Sequence, residues 1–380
     1  MSLPRIVIAT SIHPDFDARI WKQARLLASK GCKVQLICPW EVGPGEIVDG
    51  VIIHPFKKVS ARWKRPFLVP VRMLPKLMPL LRQADIVHFH DIDLVPWMTV
   101  LSRFKTVVYD VHENYAEEML IREWIPMPLR HVLYYAVKWG QYLCSQVIRN
   151  IVLVAPSQEP DFSSSRLRKA YIYNYASMDL LEKVTEDHST RKNTVIFIGS
   201  QHINNGSLLM LDIVEQTKSR LPGVRFLATD RFFNPAFRQQ FIAEVEHRRL
   251  GDQIKLIPNV KPHELMAVLN QATIGIVPNL RVPQQIKGIH TKIFEYMAAG
   301  LPVVASDLPH QIDVIAGEAV GIVVPPEVPS MFVDAIEKLV KNPDYARRLG
   351  MKGRCVYQAK YCYESQIDTL LRFYRHILES

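Results

Sequence analysis

The chain alternates between short continuous apolar runs and longer segments in which apolar side chains recur every three or four positions. Short runs bounded by polar residues predict buried strands, and the longer period predicts helices with one apolar face. Strands that alternate with helices favour a parallel, doubly wound sheet. In the first half, the pattern predicts strands at 5–9, 33–38, 52–55, 85–89, 106–110 and 151–155, and helices at 18–29, 71–82, 94–102 and 129–149.

The helix predicted at 71–82 contains Pro75 and Pro79, which we expect to kink or break it because proline lacks an amide donor. Around 171–179 the pattern changes, and the polar run that follows predicts a connection between domains. We therefore expect an α/β fold with two doubly wound, Rossmann-like domains at 1–175 and 176–362. The second set has strands predicted at 194–199, 224–228, 254–257, 273–277, 302–305 and 320–324, and helices at 208–220, 263–270, 329–341, 345–361 and 365–379.

Composition describes an ordinary soluble protein, with 380 residues, 48% hydrophobic and 22% charged side chains. The five cysteines are scattered and form no CxxC pair, which fits a reducing cytoplasm and excludes a disulfide framework or a cysteine zinc site. The N-terminus leads directly into a strand without the pattern of a signal peptide. No apolar run reaches the length of a membrane-spanning helix. We expect a cytoplasmic protein.

The net charge of +10 is unevenly distributed, because residues 50–84 contain no acidic side chain. Basic residues alternate there with aromatic and aliphatic ones, a combination that suits an anionic membrane surface. The same stretch is equally consistent with the solvated face of a helix that packs on its other side. Nucleic acid binding is disfavoured because no recognised nucleic-acid motif accompanies the charge. Membrane-surface contact through residues 56–82 is therefore one prediction of the sequence, and a solvated helix face is the other.

The segment 290–308, HTKIFEYMAAGLPVVASDL, predicts a short helix, a glycine stop and a buried strand. Thr291 is a candidate N-cap whose hydroxyl accepts from amides of the first turn, and Gly300 is suited to a left-handed helix end. Free amides at a helix N-terminus bind phosphates, and Glu295, one turn further in, is placed to accept hydrogen bonds from a ribose diol. Alternatively, the segment is a buried helix–strand unit with an incidental acid.

Polar clusters follow three predicted strands of the first domain, where side chains of a parallel sheet point toward ligands. The motif HxHD also suits zinc, and strand alternation places His88 and His90 on one face. Ordinary hydrogen bonding is the other interpretation for these histidines. The clusters are His13, Asp15, Asp17 and Arg19; His88, His90, Asp91 and Asp93; and Asp110, His112 and Glu113.

The run FEYMAAGLPVVASD resembles the donor-site signature of the retaining GT-B glycosyltransferases of family 4, and the three clusters, including YDVHE, also match that family. The resemblance implies two Rossmann-like domains facing across a cleft, with a terminal helix at 363–380 that packs back on the N-terminal domain. The N-terminal domain would bind the acceptor and the C-terminal domain a nucleoside diphosphate sugar. No cofactor, metal or enzymic nucleophile is implied.

By this resemblance Glu295 binds the nucleotide ribose, and His112 lies beside the transferred sugar at the reacting centre. Asp91 joins His112 as a catalytic candidate, and His90 and His13 lie on the acceptor side. The donor side comprises Glu295, Thr291, Lys292, Lys287, Gly199, Ser200, Asn205 and Arg231.

The chain departs from the family at three donor positions. Where the family has GRxxxxKG, this chain has Ser200 in place of the arginine and Asn205 in place of the lysine. Lys287 replaces a glutamate eight residues before the ribose acid. Either the site is rewired, or it has decayed and the chain is a silent partner of another transferase. The cations available for a rewired site are Lys287, Lys292, Arg281 and Arg231.

The sequence as a whole predicts a glycosyltransferase that moves a sugar from a nucleoside diphosphate, UDP among the candidates, to a glycan acceptor. The basic apolar stretch suggests that the acceptor is lipid-linked, as in surface polysaccharide or glycolipid synthesis at the inner face of a membrane. A non-catalytic, glycan-binding subunit and a sugar-nucleotide epimerase of the same fold are the alternatives.

Overall fold

A computed structural model describes residues 3–12, 18–39, 45–61, 64–112, 114–121, 125–183, 193–260 and 264–380. The chain divides into two compact units. The first comprises Met1–Asn174 together with Gln366–Ser380, and the second comprises Tyr175–Ser365. Each unit is an α/β structure built on its own sheet, as the strand–helix alternation predicts.

The sheet of the first unit has the strand order β3-β4-β2-β1-β5-β6-β7-β8. All neighbours pair in parallel except β3 and β4. The carboxyl ends of β1, β5 and β6 therefore lie side by side and bring the described residues that follow them to one edge. The strands are β1 (Arg5–Ala9), β2 (Lys33–Cys38), β3 (Ile47–Val48), β4 (Val51–Pro55), β5 (Ile86–Phe89), β6 (Thr106–Val111), β7 (Asn150–Leu153) and β8 (Arg168–Tyr171).

The sheet of the second unit is entirely parallel, with the order β11-β10-β9-β12-β13-β14. The strand order reverses direction between β9 and β12, and ligands of open α/β sheets bind at such switch points. The strands are β9 (Thr194–Phe197), β10 (Arg225–Thr229), β11 (Ile254–Ile257), β12 (Ile274–Val277), β13 (Val303–Ser306) and β14 (Gly321–Val324).

Helices connect the strands in both units, and π-helical turns follow α11 and α13. The helices are α1 (Ala18–Ser29), α2 (Arg65–Leu81), α3 (Val95–Leu101), α4 (Tyr115–Ile121), α5 (Met127–Ile148), α6 (Ser207–Arg220), α7 (Pro235–His247), α8 (Leu265–Leu269), α9 (Pro283–Lys287), α10 (Lys292–Ala298), α11 (Pro309–Gln311), α12 (Pro329–Lys341), α13 (Pro343–Val356) and α14 (Ile367–Glu379).

The crossovers of the first unit place its helices on defined faces of the sheet. Right-handed crossovers from β4 to β5, β5 to β6 and β6 to β7 all run in one direction, so α2, α3 and α5 share one face. The β1-to-β2 crossover runs the opposite way and puts α1 on the other face. The terminal helix α14 packs against α1 and β8, which confirms the expectation that it returns to the first domain.

The structure differs from the sequence-based expectation at two places. Helix α2 is continuous from Arg65 to Leu81 although Pro70, Pro75 and Pro79 lie inside it. Its buried side, which includes Met73 and Leu77, packs into the core beneath the sheet, and we infer that this packing outweighs the lost backbone bonds.

The second difference is strand β8, which the sequence pattern does not predict, although the division between Asn174 and Tyr175 lies within the connection predicted at 171–179. Tyr171, assigned to the connection, ends strand β8, which pairs in parallel with β7 at the edge of the sheet. The sequence Arg168–Tyr171 is polar and only partly buried, so it lacks the apolar run that marks an interior strand.

The described part of the chain contains no helix that is both long enough and apolar enough to cross a bilayer. All five cysteines are free thiols, and Cys32, Cys38 and Cys362 are buried.

Candidate active site

Helix α10 is held at the switch point of the second sheet by Tyr296. The buried Tyr296 hydroxyl accepts from the Ile198 amide and donates to the Ile196 carbonyl, both at 3.0 Å. These bonds fix α10 against the end of β9. Gly300 has a φ of 69° and ends the helix in the left-handed conformation, as the sequence predicts.

The start of α10 differs in one respect from the sequence-based expectation. Thr291 occupies the N-cap position, but its backbone is already helical and its side chain makes no capping hydrogen bond. Its carbonyl instead accepts from the Phe294 amide at 3.0 Å. Glu295 lies in the first turn and is half-buried, at the helical position that the sequence predicts.

Lys292, the first residue of α10, lies against the loop after β9. Its ammonium is 4.4 Å from the centre of the Phe197 ring. Gly199, with a φ of 97°, lies so close that an added Cβ would be 3.7 Å from the Lys292 Nζ. Burial lowers the pKa of Lys292 to about 8, against the opposing effect of Glu295. A cation therefore stands beside the glycine loop, although that loop lacks the family's arginine and lysine.

Ser200 and Asn205 are joined by a network of neutral amides. The Asn205 amide donates to the Ser200 carbonyl at 2.8 Å and to its hydroxyl at 3.1 Å. Gln285 donates to the Asn205 side-chain oxygen at 3.0 Å and accepts from Asn279. Asn205 thus binds the loop to α9 and does not replace the charge of a lysine.

The other candidate cations have different surroundings. Arg281 is exposed and forms ion pairs with Asp307 at 2.6 Å and Glu327 at 3.0 Å, so acidic partners already balance its charge. Arg231 is exposed, follows the end of β10 and lies over the Phe233 ring at 5.2 Å. Lys287 is exposed at the end of α9.

The first unit contains a fully buried ion pair at the end of β6. Arg19 from α1 donates to both Asp110 oxygens, at 2.8 and 3.0 Å. Burial on its own would raise the pKa of Asp110, but the charge of Arg19, assisted by His90 and His88, outweighs burial and holds this pKa below its ordinary value. Asp110 is therefore a carboxylate with a fixed counter-ion.

His88 connects this ion pair to the terminal helix. His88 Nε2 lies 3.3 Å from Asp110 Oδ2, and its Nδ1 lies 2.7 Å from the Tyr374 hydroxyl. Because a carboxylate only accepts, we assign the proton to Nε2, which leaves Nδ1 to accept from Tyr374. His88 and His90 stack with centroids 4.9 Å apart, so both lie on one face of the strand end, as alternation predicts.

Two candidates of the first unit lie near these groups, whereas the cluster residues Asp15, Asp17 and Glu113, together with His13, lie outside the described residues. Asp91 is fully buried, and its Oδ2 accepts from the Thr10 hydroxyl at 2.7 Å and the Ser11 amide at 2.6 Å. Asp91 therefore anchors the loop after β1. His112 is 5.8 Å from His90 between ring centroids. His13, on the acceptor side in the sequence prediction, lies outside the described residues.

A group of side chains in the first unit fits the metal interpretation in its geometry. His88, His90 and Asp110 bring potential ligand atoms within 4.8 Å of one another. However, Arg19 already contacts both Asp110 oxygens, so a metal ion bound there would face a fixed guanidinium across the carboxylate. The geometry therefore favours a hydrogen-bonded network.

Sequence reasoning missed the roles of Arg19, Tyr374 and Gln285. Arg19 was grouped with the loop after β1, whereas it reaches a carboxylate 91 positions away. Tyr374 contacts a histidine 286 positions away. Neither side chain carries a local signal for its partner.

Comparison with known proteins agrees with this architecture. Residues 181–356 match the family model described as glycosyl transferases group 1, and residues 18–159 match glycosyltransferase family 4. The two α/β units with largely parallel sheets and these matches define the protein as a GT-B glycosyltransferase. The chain belongs to the group 1 and family 4 glycosyltransferases.

Several known proteins are similar over most of their length. The chain is 21% identical over 321 residues to the GDP-mannose:cellobiosyl-diphosphopolyprenol alpha-mannosyltransferase of Xanthomonas oryzae pv. oryzae, covering 80% of this chain and 78% of that protein. The sucrose-phosphate synthase of Thermosynechococcus elongatus has a TM-score of 0.74 and 16% identity, covering 99% of both chains. Anabaena HepE, solved in complex with UDP, has a TM-score of 0.70 and 11% identity, covering 98% of this chain and 100% of that chain.

Proposed function

We propose that this glycosyltransferase moves a sugar, with retention, from a nucleoside diphosphate sugar to a lipid-linked glycan acceptor in surface polysaccharide or glycolipid synthesis. It would act at the cytoplasmic face of a membrane, without a metal or other cofactor. The second unit binds the donor and the first unit binds the acceptor. The similarity to a transferase named for a diphosphopolyprenol acceptor supports the lipid-linked class.

The observation that carries the donor assignment is the position of Lys292. Its ammonium lies beside Gly199 and over Phe197, at the carboxyl end of β9, where a leaving diphosphate would need positive charge. Together with the amides around Thr291, Lys292 compensates for the two cations that the glycine loop lacks. This supports a rewired donor site over a decayed one. Arg231 and Lys287 are the remaining contributors, because Arg281 is already paired with two acids.

Glu295 accepts hydrogen bonds from the ribose in this proposal. His112 lies by the transferred sugar, with Asp91 positioning the neighbouring loop and His90 and His13 on the acceptor side. The chemistry requires charge stabilisation of the departing diphosphate and alignment of the acceptor hydroxyl. None of these roles requires a nucleophile from the protein.

The ribose role is tested with Glu295→Ala. A thermal-shift series with UDP, GDP, ADP, CMP and dTDP first identifies the bound nucleotide, because a ligand of the folded state raises the midpoint. Loss of hydrogen bonds to a charged acceptor then lowers the affinity of Glu295→Ala for that nucleotide about tenfold or more, measured by calorimetry.

Glu318→Ala is the matched control, since Glu318 lies in the same unit and pairs with Lys360 and Tyr361. Unchanged nucleotide affinity in a folded Glu295→Ala protein refutes the ribose role. If no nucleoside diphosphate shifts the midpoint of the wild type, the proposed donor site is refuted as a whole. If a nucleotide does bind, product analysis distinguishes transfer of the sugar to an acceptor from epimerisation of the donor.

A further inference from the structure

Helix α5 buries few of its apolar side chains. Of its 22 residues, the buried ones are Gln141, Ser145 and Ile148, of which two are polar, and Leu133, Val137 and Cys144 are only partly buried. Gln141 is fixed there by a hydrogen bond to the Tyr109 hydroxyl at 2.8 Å. The apolar residues of this helix therefore point mainly away from the domain.

The outward side of α5 is a continuous apolar stripe. Val132, Trp139 and Leu143 have exposed fractions of 62%, 60% and 60%, and Tyr135 and Val147 are exposed between and beyond them. The spacings of three and four residues keep these side chains on one line. At 1.5 Å per residue, the stripe from Val132 to Val147 is about 23 Å long.

Two neighbouring helices extend the exposed apolar surface. On α2, Phe67, Val71 and Met78 are exposed on the side opposite the buried Met73 and Leu77. Helix α3 packs against α5, and Trp97 of α3 donates to the Pro66 carbonyl of α2 at 3.1 Å. Trp97 is itself exposed, as are Val100 and Phe104 at the end of α3. We call the outward sides of α2, α3 and α5 the three-helix face.

The charge of the three-helix face is of one sign. None of the residues of α2, α3 or α5 is acidic, whereas Arg65, Arg72, Lys76, Arg130 and Lys138 lie on α2 and α5. Lys138 pairs with Asp161 from outside these helices, at 2.8 Å. The remaining cations are half-buried, and the three arginines among them donate to backbone carbonyls, Arg65 to Val59, Arg72 to Lys57 and Arg130 to Ile125.

We propose that the three-helix face docks on an anionic lipid surface, with α5 lying parallel to the membrane plane. Exposed apolar patches of this extent mark interaction sites. Aromatic side chains such as Trp97, Trp139 and Tyr135 favour the boundary between headgroups and acyl chains, and basic residues favour anionic headgroups. A second copy of the chain fits less well, because a symmetric contact would oppose two positively charged surfaces.

This inference extends the proposed membrane contact beyond residues 56–82. Residues 56–82 supply only α2, whereas the longest apolar stripe belongs to α5, which the charge pattern of the sequence did not single out. It rests on the proposed lipid-linked acceptor for its biological purpose. Its geometry, however, is independent of the donor site, so the two are tested separately.

Vesicle flotation of the full chain is the first test. We expect binding to phosphatidylglycerol vesicles that weakens with salt and exceeds binding to phosphatidylcholine vesicles. Trp139→Glu with Leu143→Glu places two charges in the stripe and lowers binding about tenfold or more. Met331→Glu with Met351→Glu is the matched control, because these exposed residues lie on α12 and α13 of the second unit.

A second measurement keeps the test decisive if the charged variant folds poorly. Fluorescence quenching by brominated phosphatidylglycerol should be strong in the wild type and largely lost in Trp97→Phe with Trp139→Phe. Unchanged quenching in that variant, equal flotation of Trp139→Glu/Leu143→Glu, or no binding of the wild type would overturn the proposal.

Two further readouts separate the alternatives. Light scattering without lipid identifies a self-interface if the wild type is a dimer and Trp139→Glu/Leu143→Glu is a monomer, and this result would overturn lipid docking. The nucleotide-induced thermal shift should be identical in the wild type and in Trp139→Glu/Leu143→Glu. If that shift is absent while vesicle binding follows the expectation, the donor proposal fails and the three-helix face stands.

Discussion

At the scale of single residues, Lys292 combines a position in the proposed donor site with an unusual protonation equilibrium. Burial against Phe197 and Gly199 lowers its pKa to about 8, well below the 10.4 or so of a lysine in an unfolded chain. Below about pH 8 the ammonium is charged in both the folded and unfolded states. Between these two pKa values the unfolded chain holds more protons, so this group makes the fold more stable as pH rises.

The affinity for nucleotide should change with pH in the direction opposite to that of the stability of the fold. If Lys292 balances the diphosphate charge, affinity falls as pH rises through about 8, by up to about tenfold per pH unit. Calorimetric titrations from pH 7 to 9.5 or so measure this slope. Lys292→Arg keeps its charge over that range and flattens the profile, whereas Lys292→Met lowers affinity and removes the dependence. A wild-type slope that persists in Lys292→Met would assign it to another group.

The proposed donor residues show which parts of the candidate site the sequence can predict. Glu295, Gly300 and Lys292 belong to one short segment, so residue spacing alone placed them on the helix and at its end. The capping role of Thr291 failed because the backbone at that position is already helical. The loss of the family cations at Ser200 and Asn205 was visible, but the amide network with Gln285 that replaces them was not.

At the scale of elements, the first unit depends on contacts that join distant parts of the chain. Strand ends of β5 and β6, helix α1 and helix α14 meet through Asp110, His88, Arg19 and Tyr374. Periodicity predicted each of these elements with boundaries close to those observed. It could not predict their partners, because a pairing between side chains 91 or 286 positions apart leaves no local pattern.

The buried ion pair makes a clear prediction about stability. Asp110→Asn leaves the Arg19 guanidinium buried without its counter-ion, which should cost about 3–5 kcal/mol in urea unfolding. Because its folded-state pKa is depressed, Asp110 stabilises the native state above about pH 4, and that contribution is lost as pH falls further. The variant should lack this component of acid sensitivity.

The matched control is Asp85→Asn, which breaks the ion pair that Arg5 forms with Asp85 across the ends of β1 and β5. Both side chains of that pair are partly exposed, at 48% and 30%, so water replaces the lost partner and the destabilisation should be much smaller. Equal losses in the two variants would contradict the structural importance of the buried pair.

At the scale of the whole molecule, the two α/β units differ in the surroundings of their buried charges. The second unit carries a half-buried lysine at its switch point, and the first unit carries a carboxylate already neutralised by an arginine. The fold class was accessible from the sequence because the alternation of strands and helices extends through both halves. The three-helix face was not, since periodicity shows that α5 has an apolar side but not which side the domain covers.

This distribution of charge leads to a prediction about metal dependence. A leaving diphosphate is stabilised either by a divalent cation or by fixed charges of the protein. In the proposed function, Lys292 and the amides at the start of α10 provide the fixed charge, and the His88–His90–Asp110 cluster is bound to Arg19. We therefore expect the transfer rate to remain within about twofold when EDTA replaces magnesium or manganese. Lys292→Met supplies the critical comparison: its residual activity should increase with added magnesium, because a divalent ion partly replaces the missing ammonium. A wild-type enzyme that loses its activity in EDTA and regains it with metal would show that the fixed charges are insufficient.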